Sequence, residues 1–446
     1  MSFTRREATI LIFGDFLMLI ASLWAALAIR NLGVPSAGYF ETVLFPFVPV
    51  FLLSLVVFYI AGLYEKQTRV VRRVMGERIL GAQVANSVIA AIIFFVLPLS
   101  IAPKTILVIY LIVSVLAVSA WRFWYMRRGA AGSRARERAL LVGTGDAVQE
   151  VLDEVNGNSR YLFSFVRHIN TAGRTADEVM NDMATHLSEN IRFVVLDTRD
   201  AKVIHDLSHM HEALFAGISF IDFTTFYEEV FDRVPLGHID SAWLLEWLSH
   251  PHTLYDATKR TFDLLLAILG VVVAAPFIVL AAGVLFLQGG TPFIWSERVG
   301  KSGRVFRMPK IRSMLFDDKG DPELQKKNRV TRFGAILRKT RIDELPQIWN
   351  VLRGEVSFIG PRPELSSIVK IYEEEIPYYQ FRHLISPGLS GWAQVRDYDA
   401  PRGGADVERT RRKLSYDLYY LKHRSLGLDL AIVLKTIRAI VAFSGK

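Results

Sequence analysis

The chain has four stretches that stay apolar for about twenty residues, the length at which a helix crosses a bilayer core. They cover about 8–29, 43–63, 80–98 and 106–126. The first lacks a small-residue cleavage site and three spans follow it, so it reads as retained rather than as a cleaved signal. Basic residues set the expected orientation. Arg5 and Arg6 precede the first span, and Lys66, Arg69, Arg72, Arg73 and Arg78 fill the second loop. Arg122, Arg127, Arg128, Arg134, Arg136 and Arg138 surround and follow the end of the fourth, whereas the other two loops carry only Arg30 and Lys104. The positive-inside bias then places the N-terminus and everything after about residue 130 in the cytoplasm. Asp15 lies within the first span. It reads either as a functional intramembrane charge or as a polar packing contact inside the bundle.

From Ala139 the pattern changes. Residues 139–142 (ALLV) read as a buried parallel strand, 191–196 as a second and 218–221 as a third, with helical patterns between them. That alternation predicts a small α/β unit with a parallel sheet. Gly143 and Gly145 follow the first strand as in a dinucleotide loop, but Val148 stands at the third glycine position. No acidic residue ends the next candidate strand near Val166, so a structural or regulatory Rossmann-like domain is the expectation.

Residues 261–287 form a fifth apolar run of spanning length. Pro276 lies inside it and removes a helix hydrogen bond. A fifth crossing would also export Lys301, Arg304, Arg307, Lys310 and Arg312, against the positive-inside bias. A kinked helix that enters one leaflet and returns satisfies both facts, with Lys259 and Arg260 expected to snorkel to the headgroups.

The overall hydrophobic content of 51% and the mean hydropathy of +0.27 agree with several membrane segments. There is no cysteine, which excludes disulfides and thiolate-ligated metals. The net charge of +9 fits an anionic partner: lipid headgroups, nucleic acid or phosphorylated substrates. In 305–314, apolar and basic residues alternate, which predicts an extended or amphipathic element with its cations on one face. Asp343 and Glu344 follow an amphipathic helix around 331–338 and are expected to start the next helix, where the dipole favours a carboxylate. On spacing alone, that helix-start role outweighs a catalytic one.

The ordered set of motifs adds a resemblance. KIRSM at 310–314, RFG at 332–334, DELPQ at 343–347, NVLRG at 350–354, GPRP at 360–363 and PGLSGWAQV at 387–395 resemble the bacterial sugar transferase family of monotopic phosphoglycosyl transferases. The likeness is dense over about 258–446. The front end resembles the large subclass by architecture alone. Ile311 stands where phenylalanine is usual, and Ala275 precedes Pro276 where serine is common.

The resemblance implies three units: a four-span bundle (1–130), a cytoplasmic Rossmann-like α/β domain (135–250) and a mainly α catalytic domain (258–446) with a re-entrant helix at 261–287. It implies transfer of a sugar-1-phosphate from a nucleotide diphosphate sugar, a UDP-hexose by default, to polyprenyl (undecaprenyl) phosphate. That step would start exopolysaccharide, capsule or O-antigen synthesis at the inner-membrane surface. Asp343 would be the nucleophile and Glu344 its metal-side partner, with Mg²⁺ as cofactor. Arg362, and more weakly Lys310 and Arg312, would grip phosphate, and Arg338 is a further candidate. Asp417 and Asp429 would orient a substrate hydroxyl or metal-bound water, or else cap helices. Trp392 is expected at the surface, near the sugar nucleotide or the headgroups. Residues 429–443 form an amphipathic interfacial or docking helix. The bilayer is an expected partner, nucleic acid is not, and a homodimer is one assembly the large subclass allows. The contrasting expectations are an inactive scaffold that keeps the fold and, less in keeping with the charges, a transporter.

Overall fold

The computed structural model describes residues 3–61, 63–64, 104–131, 136–158, 163–187, 191–204, 217–239, 253–316, 328–397 and 406–441, with isolated residues among 79–90, 161 and 243. Most of the expected third span (80–98) lies outside the described residues, as do the basic residues of the second loop and Arg134. Among the described residues four helices are long and apolar enough to cross a membrane. Three are α1 (Phe3–Asn31), α2 (Ala37–Ile60) and α3 (Lys104–Ala131), and the fourth is α7, introduced below. The chain is therefore a multi-pass membrane protein.

The contact between α1 and α3 resolves the two readings of Asp15. Its carboxylate is fully buried and takes both forks of the Arg122 guanidinium, with Nε at 3.1 Å, and the Tyr64 hydroxyl at 2.8 Å. Arg122 also donates to the Leu63 carbonyl at 2.9 Å and lies over the Phe58 and Tyr64 rings. A charge in an apolar bundle needs such a partner. Asp15 is thus a packing contact. Gly14 allows it, because any side chain there would run into the Trp121 ring.

The soluble part begins with a four-stranded parallel sheet of β1 (Glu137–Val142), β2 (Phe163–Ile169), β3 (Phe193–Leu196) and β4 (Ser219–Asp222), in the order β2-β1-β3-β4. Period-two alternation sends Ala139 and Leu141 to one face, under α4 (Asp146–Gly157) and α6 (Phe223–Phe231). Leu140 and Val142 go to the other, under α5 (Ala176–Leu187). All three expected strands are present within two residues. The chain leaving α6 does not stay with this sheet: Val234 and Ile239 are buried in the core of the C-terminal part, beside Leu418 and Tyr420.

That part is built on α7 (Thr253–Leu287), one continuous helix through Pro276. Ala267, Ala274 and Ala281 are buried along it at seven-residue spacing. Small residues let the hairpin β5 (Phe293–Val299) and β6 (Val305–Ile311) and the helices α8 (Arg332–Thr340) and α9 (Ile348–Arg353) lie close against it. Leu265, Leu269, Val272, Val273 and Leu280 stay exposed on its other side.

Lys259 and Arg260 do not snorkel. Arg260 donates to the carbonyls of Val351 and Leu352 at 2.7 and 2.8 Å, satisfying the open C-terminal end of α9. Lys259 pairs with Asp429 at 3.1 Å. Both ends of α7 therefore touch the same body, since Leu285 packs with Ile311 and Leu337.

β7 (Ser357–Ile359), α10 (Ser366–Glu375), β8 (Gly388–Ser390), α11 (Trp392–Arg396), α12 (Val407–His423) and α13 (Leu426–Val441) complete the body. At the β7–β8 crossing a side chain on Gly388 would meet the Gly360 backbone, so only glycine fits. Trp392 is buried, not exposed as expected: it stacks on Tyr419 and its indole N–H donates to the Asp232 carbonyl at 2.9 Å. Along α13, Leu430, Val433, Ile437 and Ile440 are exposed, while Ile432 is buried in the core and the helix also lies against α2. It docks and still presents an apolar edge.

A polar network is buried beneath the GPRP loop. Arg382 pairs with Asp417 at 2.8 Å, donates from Nη1 to the Tyr379 hydroxyl oxygen at 2.7 Å, and lies 3.7 Å from Glu364, which Lys413 also contacts. Asp417 is thus in the middle of α12 and caps nothing. Burial alone would raise the Glu364 carboxyl, but Lys413 and then Arg382 outweigh it and hold it at about 2.

Two predictions follow from these buried pairs. Arg122→Met leaves the Asp15 carboxylate unpaired and is expected to cost on the order of 3 kcal/mol, part of which Asp15→Asn restores in the double variant. Unfolding of detergent-purified protein reads both, and an unchanged midpoint for Arg122→Met would contradict the assignment. Because Glu364 is depressed in the fold, its contribution is complete above its ordinary value of 4.5 and is lost as the pH falls toward about 2. Glu364→Gln should lower the melting temperature at neutral pH and flatten the acid-side decline; a parallel decline in both proteins would argue against it.

Candidate active site

α8 ends at Arg341, whose φ of 59° lies in the left-handed region. A non-glycine residue there stores strain of order 1 kcal/mol. The turn reverses the chain into a short 3₁₀ segment, Ile342–Gln347, which carries Asp343 and Glu344. The pair therefore precedes α9 in a tight turn instead of starting that helix as expected. The turn brings both carboxylates under β6.

Lys310 on β6 bridges them, with Nζ 2.9 Å from Asp343 Oδ2 and 3.5 Å from Glu344 Oε1. Arg341 lies 3.7 Å from the other Glu344 oxygen. Asp343 is 1% exposed, and its Oδ1 has no hydrogen-bond partner. Such an orphaned buried oxygen is costly and calls for an explanation, of which a functional role is one. Burial, and more weakly the Glu344 charge, raises the Asp343 carboxyl from its ordinary value, opposed by Lys310 and, least, by Arg338. For Glu344 burial also raises, but Lys310, Arg362 and Arg341 together outweigh it and hold it below its ordinary value. The two neighbours are thereby pushed apart, the arrangement that gives adjacent carboxyls separate roles.

The cations of the hairpin do not share one face, contrary to what the alternation of 305–314 predicts. Arg307 points to the outer face, 3.7 Å from Glu297, while Lys310 points inward. Strand pleating separates an odd from an even position.

The GPRP loop is pinned along its main chain. The carbonyls of Pro361, Arg362, Pro363 and Glu364 accept in turn from Gly388 N (2.9 Å), Arg382 Nη2 (2.9 Å), Arg298 Nη1 (3.1 Å) and Val299 N (3.0 Å). Pro361 and Pro363 are buried, and the Arg362 side chain between them is exposed. Four fixed carbonyls and two fixed φ angles hold the backbone from which that side chain projects.

The remaining sequence candidates fall elsewhere. Arg338 donates to Ser313 Oγ at 2.8 Å, beside the pair. Arg312 is buried with its guanidinium against the Gly290 backbone and its Nε unpartnered. Asp417 lies behind the GPRP loop. Asp429 anchors α13 to α7, accepting from Tyr420 (2.7 Å), Tyr255 (2.8 Å) and Lys259. Residues that sequence reasoning missed are Arg298, Glu364, Arg382 and Lys413. Only Arg298 carried a usable signal, as an even position in the strand before a Gly-rich turn.

No group of three or more His, Asp or Glu side chains placed to hold a metal occurs among the described residues. Two adjacent carboxylates do occur, and Mg²⁺ is commonly held by one or two carboxylates completed by substrate phosphates and water.

Comparison with known proteins reports on the same residues. The family model described as "Bacterial sugar transferase" matches 254–443. The chain is 38% identical over 267 residues to a UDP-N-acetylgalactosamine-undecaprenyl-phosphate N-acetylgalactosaminephosphotransferase of Aeromonas hydrophila, covering 56% of this chain and 59% of that protein. It is 39% identical over 196 residues to a UDP-glucose:undecaprenyl-phosphate glucose-1-phosphate transferase of Caulobacter vibrioides, covering 43% and 72%. It is 37% identical over 188 residues to the exopolysaccharide production protein PSS of Rhizobium leguminosarum, covering 40% and 92%. The match thus spans under two thirds of the Aeromonas protein but most of the two shorter ones. With the Asp343–Glu344 turn, the pinned GPRP loop and the membrane helix all inside the matched stretch, the chain belongs to the bacterial sugar transferase family.

Proposed function

We propose that this protein transfers a sugar-1-phosphate from a nucleotide diphosphate sugar to undecaprenyl phosphate through a covalent intermediate on Asp343. The observation that carries the proposal is the buried Asp343 carboxylate, with one oxygen held by Lys310 and the other unpartnered. The family and the names of the relatives supply the substrate classes; a UDP-sugar is the expected donor.

In the first step Asp343 Oδ1 attacks the sugar-linked phosphorus. The bond from that phosphorus to the bridging oxygen breaks, and the electron pair leaves with the nucleoside monophosphate. The product is an acyl phosphate carrying the sugar. In the second step an oxygen of the lipid phosphate attacks the same phosphorus, the Asp343–phosphorus bond breaks, and the carboxylate is restored. Two steps avoid holding two polyanions against each other at once. Lys310 opposes the rise that burial imposes on Asp343, favouring its charged form, and steadies Oδ2 while Oδ1 reacts. Arg362, on its pinned loop, supplies a planar donor fork for phosphate. Mg²⁺, held by Glu344 with Asp343, would neutralise charge on the donor diphosphate when bound.

We also read α7 as re-entrant, supported by the packing of both its ends against one body. The β1–β4 unit remains, on this view, a structural or regulatory Rossmann-like domain. Sugar transfer then occurs at the cytoplasmic face, where the basic C-terminal part is expected. A monomer or homodimer would serve equally.

Asp343→Asn should reduce nucleoside monophosphate release by at least about a thousandfold while leaving the melting temperature near that of wild type. Full turnover by this variant would remove Asp343 as the nucleophile, and a wild-type protein that binds sugar nucleotide without releasing monophosphate would favour an inactive scaffold. The natural absence of cysteine makes α7 easy to map. Single cysteines at Leu254 and at Gln288 should both react with a membrane-impermeant thiol reagent only from the cytoplasmic side of inverted vesicles. Labelling of the Gln288 position only from the opposite side would make α7 a full crossing.

A further inference from the structure

β5 and β6 are registered so that Arg298 opposes Phe306 and Ile294 opposes Lys310. Residues opposed across an antiparallel pair share a face, as do residues two apart along a strand. Arg298 therefore lies on the Lys310 face, the one turned to Asp343 and Glu344, and not on the outer face of Glu297 and Arg307.

The cations around the carboxylates divide into two kinds. Lys310 is committed to Asp343 and Glu344, and Arg341 reaches Glu344. Among the described residues, Arg298 and Arg362 have no carboxylate within ion-pair distance, although Glu344 and Glu364 lie near enough to act on both. Arg298 donates from Nη1 to the Pro363 carbonyl at 3.1 Å and from Nε to Ser296 Oγ at 3.3 Å. Its Nη2 is left over. The Pro363 contact places this guanidinium one residue along from Arg362. Burial, and next the Arg362 charge, hold Arg298 below the ordinary arginine value, with Glu364 and Glu344 offsetting only part of this. Two cations kept side by side at such a cost are relieved by a dianion.

We propose that Arg298 is a second donor-binding residue, which together with Arg362 grips the diphosphate of the nucleotide sugar while Lys310 stays with the two carboxylates. The inference rests on the proposed reaction and adds to it a residue and a division of labour. One guanidinium sits on a fixed strand and the other on a pinned loop, so the pair is set before the donor arrives and little order is lost on binding. The lipid acceptor also carries a phosphate, but only one, and a clamp of two guanidinium groups is matched to two phosphates.

The test uses full-length protein in nanodiscs, with Arg298→Met and Arg298→Lys. Calorimetry measures UDP and UMP binding, and steady-state kinetics separates the KM of the nucleotide sugar from that of polyprenyl phosphate. Arg298→Met should weaken UDP on the order of tenfold or more and UMP distinctly less, because a charge-assisted hydrogen bond to one phosphate is lost. It should raise the donor KM and leave the acceptor KM unchanged. Arg298→Lys keeps the stem and the charge, and should recover part of the UDP affinity. Equal weakening of UDP and UMP in both variants would mean that Arg298 only props the GPRP loop, and would overturn the inference. A rise confined to the acceptor KM would overturn it too, by assigning Arg298 to the lipid phosphate. Wild-type protein that binds no UDP and turns over no nucleotide sugar would bring down the broader reaction, whatever Arg298 does.

Discussion

A buried carboxylate beside a half-buried one needs a nearby cation if both are to stay charged, and Lys310 meets that requirement for Asp343 and Glu344. Much of the C-terminal body can be understood as what it takes to bring these three groups together. Lys310 needs a strand that places it inward, which the β5–β6 hairpin provides. The carboxylates need a reversal tight enough to face that strand, which the left-handed Arg341 provides. Both elements need a support that approaches closely, and the alanine stripe of α7 is that support. The membrane helix is therefore a floor of the site as well as an anchor.

Rigidity is distributed in the same economical way around Arg362. Its loop is fixed through carbonyl groups, so the side chain proposed to meet substrate takes no part in holding the loop. The groups that do the holding, Arg382 above all, are buried and neutralised by Asp417 and Glu364. The β1–β4 unit joins this frame through Glu228, which pairs with Lys422 and His423 of α12.

Local pattern made much of this legible. Apolar length announced the membrane helices, alternation announced β1, β3 and β4, and the ordered motifs drew attention to Asp343, Glu344 and Arg362 as candidates. What stayed hidden depended on partners distant in the chain. Lys259 and Arg260 look like headgroup-seeking residues until the folded chain brings Asp429 and the end of α9 beside them. Trp392, framed by turn residues, looks exposed until Tyr419 stacks on it. Asp417 looks like a helix cap until Arg382, in a different element, turns out to need it. Asp15 had two readings until Arg122 was found across the bundle. Sequence spacing reports on a residue's own helix or strand, and each of these outcomes is decided by another one.

The central claim is that Asp343 becomes covalently linked to the transferred phosphosugar. Mass spectrometry of the wild-type protein, after incubation with its nucleotide sugar and Mg²⁺ but without polyprenyl phosphate, addresses it directly. The account predicts a phosphosugar mass on the peptide containing Asp343, formed with an equivalent of nucleoside monophosphate and discharged when the lipid phosphate is added. Monophosphate release that requires the lipid, with no adduct on that peptide at any time, would contradict it.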